Sequence, residues 1–158
     1  MLDHSSGGAA GVVINRPTDA TVASIAEQVF EEPSDWEKLI CLGGPVPGPM
    51  IVLHTIKALS DHEILNGVFS TVDAAKVRDL LRRQVEPSLT IANYAGWSAG
   101  QLESEIAEGS WVSIKARPDL VFRDGDDDLW KAASKEFNSR RLTDMLRIRE
   151  MPADPRVN

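Results

Sequence analysis

The side chains best suited to chemistry in this chain are Asn15 and Arg16 at the end of one apolar run, His54 at the end of another, and Trp97, Gln101 and Glu105 around a glycine-rich turn. Glutamate and histidine can both be tuned to exchange protons near neutral pH, so Glu105 or His54 could serve as a general acid or base. In a helix beginning near Gly100, Glu105 follows Gln101 by four positions and shares its face, while Glu103 points about 200 degrees away. Gln101 and Glu105 are therefore the natural pair, and Glu103 drops out. The same groups also suit hydrogen bonds that brace the turn and tie the helix to a sheet, and no complete catalytic set accompanies them. No residue is therefore assigned a catalytic role; the six are candidate ligand-binding residues.

Other chemistries lack their residue patterns. His4, His54 and His62 have no metal-ligand spacing, and the acidic run at residues 124–128 lacks the closing Glu of a calcium loop, so no metal site is expected. Gly43-Gly44 is followed by no Lys-Ser/Thr, and Pro45, Pro47 and Pro49 carry no amide donors, so it reads as a turn rather than a phosphate cradle. Cys41 has no CxxC partner and sits among Ile40 and Leu42 as a buried thiol would. No Gly-x-Ser-x-Gly elbow is present, and no cofactor is called for.

The elements that must position these groups alternate irregularly along the chain. Residues 11–17 read as a strand closed by Pro17, followed by a helix with Val22, Ile25, Ala26 and Val29 at helical spacing. Strands are expected at 38–42, 50–55 and 64–69, the last bulged at Gly67, and a helix at 72–84 capped by Ser70 or Thr71. Residues 89–95 read as a strand, 101–108 as a helix stopped by Gly109, 111–115 and 120–123 as strands, and 129–137 as a helix. Trp111 and Trp130 fall in patterns of core residues, whereas Trp97 on its glycine-flanked turn is the one expected beside a pocket. The interspersion of short strands and helices without strict alternation predicts a mixed α+β fold.

With 158 residues, 42% hydrophobic and 26% charged, the chain suits one ordinary globular domain spanning 1–158, with a tail segment from about residue 140. The net charge of −7 opposes the phosphate attraction that drives non-specific nucleic-acid binding, so a nucleic-acid partner is disfavoured. The basic run holding Arg140, Arg141, Arg147 and Arg149 is interleaved with apolar residues and reads as a solvated amphipathic segment. No apolar run reaches the roughly 18 residues of a membrane span, and residues 1–4 carry no signal-peptide pattern. The single cysteine suits a reducing cytoplasm.

Several segments taken in order resemble the AlgH/YqgE family of bacterial proteins. They are Leu2-Asp-His4 with Gly11-Val-Val-Ile-Asn-Arg-Pro17, Leu42-Gly-Gly-Pro-Val46, Val52-Leu-His54, and Tyr94-Ala-Gly-Trp-Ser-Ala-Gly-Gln-Leu-Glu-Ser-Glu-Ile106 with Gly109 and Trp111. The match continues through Asp119-Leu-Val-Phe122 and Leu129-Trp130. The resemblance implies a single-domain α+β fold whose bifurcated mixed sheet curls into a pseudo-barrel with flanking helices, in a cytosolic protein without a settled biochemical function. Against that family, Asn93 stands where glycine is common, and the chain is expected to lack two N-terminal strands of which Leu2-Asp3-His4 is the remnant. The expected function is non-enzymatic binding or regulation, with an unidentified protein or small molecule as partner. The alternative is a small-molecule hydrolase or transferase using a pocket near His54, Trp97 and Glu105. A transcriptional regulator, a label some members carry, is disfavoured by the acidic charge and the absence of a DNA-binding module.

Overall fold

The computed structural model describes residues 1–123 and 126–146. Nine strands form two sheets. Strands β1 (Asp3–Ser5), β2 (Gly8–Gly11) and β9 (Ala95–Ser98) make a small antiparallel sheet in the order β1-β2-β9. Strands β3 (Pro17–Thr21), β4 (Leu39–Leu42), β5 (Ile51–His54), β6 (His62–Leu65), β7 (Val68–Thr71) and β8 (Ser88–Ala92) make a larger one in the order β3-β4-β8-β5-β7-β6. Only β4 and β8 run parallel, which makes the large sheet mixed as expected. The fold is α+β, and among the described residues the sheets do not close into a barrel: β3 and β6 remain as edges.

The large sheet is buried on both faces because its central strands alternate two sets of apolar side chains. Ile40 and Val52 turn toward helices α1 (Val22–Phe30) and α2 (Ala74–Arg82), where they meet Val22, Val77, Leu80 and Leu81. Cys41, Ile51, Leu53 and Ile91 turn the other way and pack against Leu2, Val12, Ile14, Tyr94, Val121 and Phe122. The second face thus receives the small sheet and the short helix α4 (Pro118–Val121). Cys41 is buried, and its thiol lies 3.6 Å from the carbonyl oxygen of Ile14.

The bifurcation occurs at one crossing. β8 ends at Ala92, the chain turns at Asn93 with φ of 64°, and β9 begins at Ala95 in the other sheet. Asn accepts that left-handed angle more readily than most residues, so it performs the turn that glycine would otherwise make. Opposite, Gly43 and Gly44 have no side chain, and a Cβ on Gly43 would collide with the carbonyl oxygen of Asn93, one on Gly44 with the main chain of Tyr94. Backbone bonds lace the crossing: Gly43 N–H to Ala92 O (2.8 Å), Val13 N–H to Gly43 O (2.8 Å), and the reciprocal pair between Val46 and Tyr94 (2.9 and 3.1 Å). Gly43-Gly44 is therefore more than a turn; it is where the two sheets are joined.

Local differences from the expected elements have identifiable causes. Gly67 (φ 79°) is not a bulge in one long strand but the turn of the β6–β7 hairpin, an Asn66-Gly67 pair of the kind that favours tight hairpins. Asp73, not Ser70 or Thr71, caps α2, its carboxylate accepting from the N–H groups of Ala75 and Lys76, while Thr71 is committed to β7. Thr21 and Ser24 cap α1 reciprocally. Residues 111–117 form no regular strand, and Leu120 lies in α4 rather than in a strand. The final helix is longer than expected: α5 spans Asp126–Leu146 and absorbs the start of the anticipated tail, while residues 147–158 and the turn at 124–125 lie outside the described residues. Among the described residues no helix is long and apolar enough to cross a membrane.

Replacing Gly44 with alanine forces a methyl group into the main chain of Tyr94, which cannot move without breaking the lacing. Gly44→Ala is expected to lose about 3 kcal/mol or more of stability, read as a shift in the urea midpoint with an unchanged slope.

Candidate functional site

Trp97 lies in β9, not on a turn, because the chain extends from Ala95 to Ser98 and bends only at Gly100, whose φ is 73°. That glycine starts α3 (Gln101–Ala107), which Gly109 (φ 81°) follows. Ser98 N–H donates to the Oε1 of Gln101 (3.0 Å), and this bond aims the Gln101 amide along the helix, where its Nε2 donates to Glu105 Oε1 (2.9 Å). The predicted Gln101–Glu105 pairing is therefore present. Glu103, on another side of the helix, bonds His4 Nε2 at 2.6 Å.

Glu105 is the hub. Its Oε2 accepts from the indole N–H of Trp97 (2.9 Å) and from that of Trp111 (2.6 Å), and the two indoles meet edge to face with centroids 5.9 Å apart. Three neutral donors on one carboxylate stabilise its charged form, and they hold Glu105 below the ordinary glutamate range, the Trp111 bond contributing most, then Gln101, then Trp97. A general acid needs the opposite shift, and a base with a lowered pKa is weak. Glu105 is placed to orient two tryptophans.

Beside this cluster lies an apolar groove of about 340 Å³, near the lower end of ordinary ligand pockets. It is lined by Gly11, Val12 and Val13 after β2, by Ala95 and Trp97 of β9, by Leu102 and Ile106 of α3, by residues 111–114 and by Met1. The absent side chain of Gly11 leaves room for the Trp97 ring, which a Cβ there would meet at 3.4 Å. None of the groove-lining side chains is ionisable. The expectation that Trp111 and Trp130 are core residues is corrected: Trp111 is 49% exposed and Trp130 70% exposed. Strand patterning suggested burial at 111, but among the described residues no strand pairs with this run. Val112 and Ile114 in the same run also line the groove, and sequence reasoning, reading residues 111–115 only as a strand, did not select them.

The remaining candidates lie elsewhere. Asn15 lines a separate cavity of about 310 Å³ with Ile14, Leu120 and Trp130, and Arg16 is exposed, its carbonyl accepting from Leu42 N–H. His54 is fully buried on β5, away from the groove. Its ring is completely engaged: Ile56 N–H donates to Nδ1 (3.1 Å), so the proton sits on Nε2, which donates to Thr71 Oγ1 (2.8 Å), whose hydroxyl in turn donates a hydrogen bond to Leu59 O (2.5 Å). Burial lowers the His54 pKa, partly opposed by the charge of Asp61. Asp61 itself is pulled down to about 2, chiefly by its bond to Lys76 and next by the N–H of Val72. Among the described residues no group of three or more His, Cys, Asp or Glu side chains is placed to hold a metal ion.

With this geometry in view, the comparisons agree with one another. The AlgH-like family matches residues 1–141, and the chain belongs to that family. It is 36% identical to a UPF0301 protein of Vibrio vulnificus over 133 residues, covering 77% of this chain and 71% of that one. It is 34% identical to a UPF0301 protein of Thiobacillus denitrificans, covering 85% and 76%. Among solved structures it is similar to the AlgH protein of Pseudomonas aeruginosa, with a TM-score of 0.74, 28% identity, and coverage of 96% of this chain and 82% of that one. A protein of Corynebacterium diphtheriae shares the fold, with a TM-score of 0.64 at 23% identity over 83% of this chain and 72% of that one.

Two outcomes follow from the site. Because the folded state disfavours protonated His54, the unfolded chain binds more protons just below the unfolded pKa of about 6.5, so stability is lost as pH falls from there toward the lowered folded value. In His54→Gln the loss of urea stability between pH 7.5 and 5.5 should be smaller than in the wild type, since His4 and His62 remain common to both. In Glu105→Gln an amide N–H₂ must face either the indole donors or the Gln101 donor, so Trp111 should come loose. A red-shifted tryptophan emission and faster exchange of the Trp111 indole N–H would be observed.

Proposed function

We propose that this protein acts by binding, without chemistry, and that the groove beside Trp97 and Trp111 is where it does so. The observation that carries this is the state of Glu105. Its carboxylate, the one ionisable group bonded to both indoles, is held charged by three neutral donors and directed at them, while the groove itself presents only uncharged side chains. An acid–base reaction needs a second titratable partner facing the same space, and His54, the other candidate, is buried in the large sheet with both ring nitrogens engaged. Trp97 provides a large apolar surface whose polar tip is already satisfied, an arrangement suited to recognition. The site is read as operating in the cytoplasm, with a protein or small molecule as its partner.

The test is a titration with the apolar fluorophore anilinonaphthalene sulfonate, run beside a turnover assay on p-nitrophenyl acetate and p-nitrophenyl phosphate. Saturable fluorophore binding that falls roughly tenfold in Trp97→Ala, with no turnover above buffer, is expected. Turnover that disappears in Glu105→Gln would overturn the binding reading in favour of an enzyme.

A further inference from the structure

We infer that Asn66, at the tip of the β6–β7 hairpin, is a site of spontaneous covalent modification: its side-chain amide is lost through a succinimide, leaving aspartate or isoaspartate in the turn. This goes beyond the binding reading and is independent of the groove. Of the asparagines among the described residues, Asn15, Asn66, Asn93 and Asn138, only Asn66 is exposed. It is also the one followed by glycine.

The reaction needs the main-chain nitrogen of the next residue to reach the asparagine side-chain carbon, and a side chain on that next residue crowds the approach. Around the place where a Cβ on Gly67 would stand, no atom lies within 4 Å apart from those of its chain neighbours. The nitrogen is also outside the strand ladder, because Leu65 pairs with Val68 and leaves Asn66 and Gly67 as the loop. Its sole partner among the described residues is the exposed Glu63 carboxylate, at a long 3.4 Å. The Asn66 carboxamide bonds to no described residue, so it is free to turn toward that nitrogen. The other asparagines are placed differently. Tyr94 N–H is committed to Val46 O (3.1 Å) at the crossing, Ser139 lies within α5, and Arg16, which follows Asn15, carries a long side chain.

In the reaction Gly67 N attacks Asn66 Cγ: the N–Cγ bond forms, the Cγ–Nδ2 bond breaks, and the proton from Gly67 N leaves with ammonia. Water then opens the ring. Cleavage of the new N–Cγ bond leaves aspartate, and cleavage of the original peptide bond leaves isoaspartate, whose link to Gly67 runs through Cβ and Cγ. Water enters, ammonia leaves, and nothing is oxidised or reduced. Either product sets a new carboxylate beside that of Glu63, and isoaspartate adds a methylene to the main chain of a tight loop. β6 is the outer strand of the large sheet and pairs only with β7, so conversion loosens it from the turn inward.

The test is incubation of the full chain in mildly alkaline buffer, folded and in urea, followed by peptide mapping in a mass spectrometer. Digestion with an endoprotease that cuts before aspartate but not before isoaspartate separates the two products. In the folded chain the mass gain of amide-to-acid conversion should accumulate at position 66 at least roughly tenfold faster than at Asn15, Asn93 or Asn138. It should be lost in Asn66→Gln, whose longer side chain requires a larger ring. Conversion at position 66 confined to urea would mean that the hairpin holds the two groups apart, and would overturn the proposal. Equal rates at all four asparagines would do the same. In the converted protein the amides of residues 62–71 should exchange faster, and unchanged exchange would overturn the loosening of β6.

Discussion

Everything distinctive in this structure depends on a close approach of two main chains. Gly43 and Gly44 lie against Asn93 and Tyr94 with no space for a Cβ, and four short backbone hydrogen bonds lock that contact. The constraint lets one continuous segment serve two sheets, since β8 pairs in the large sheet and β9, three residues later, in the small one. It also fixes the small sheet over the face that carries Cys41, Ile51, Leu53 and Ile91. Tyr94 contributes to that apolar layer as well as to the crossing, so core burial and sheet bifurcation reinforce each other.

The groove follows from that placement. β9 leaves the crossing with Trp97 directed past the bare backbone of Gly11, and α3 returns along the sheet after the left-handed turn at Gly100. Glu105 then gathers the two indoles on one carboxylate oxygen, a role that an ionised carboxylate performs well because it accepts several N–H donors at once. A lowered pKa is thus a structural consequence here. His54 is shifted in the same direction by a different cause, loss of water around its ring, and the polar chain from Ile56 to Leu59 keeps it neutral and in one tautomer.

What the sequence makes legible is local and periodic. The four-residue spacing of Gln101 and Glu105 correctly predicts their shared face and removes Glu103, and the Thr21 cap and the helix with Val22 and Ala26 follow from short-range rules. Asn93 is legible too, because few residues tolerate its angle. Long-range closure is not legible. Nothing in the pattern of residues 111–115 distinguishes a buried strand from one lacking a neighbour, and so Trp111 reads as core although it is half exposed. The glycine pair at 43–44 carries no mark of what it approaches, since its partner lies some fifty residues away, and the sequence does not show that the His54 ring is engaged by Thr71 and Ile56.

The central claim, that the crossing at Gly43 and Tyr94 holds the small sheet and its groove to the large sheet as one unit, is tested most directly by native-state hydrogen exchange of the unmodified chain. The account predicts that the amides of Gly43, Val46 and Tyr94 exchange with the same opening free energy and the same denaturant dependence as those of Thr90 and Ile91 at the centre of β8. Exchange at the crossing through a separate, lower-energy opening, with Thr90 and Ile91 still protected, would contradict it.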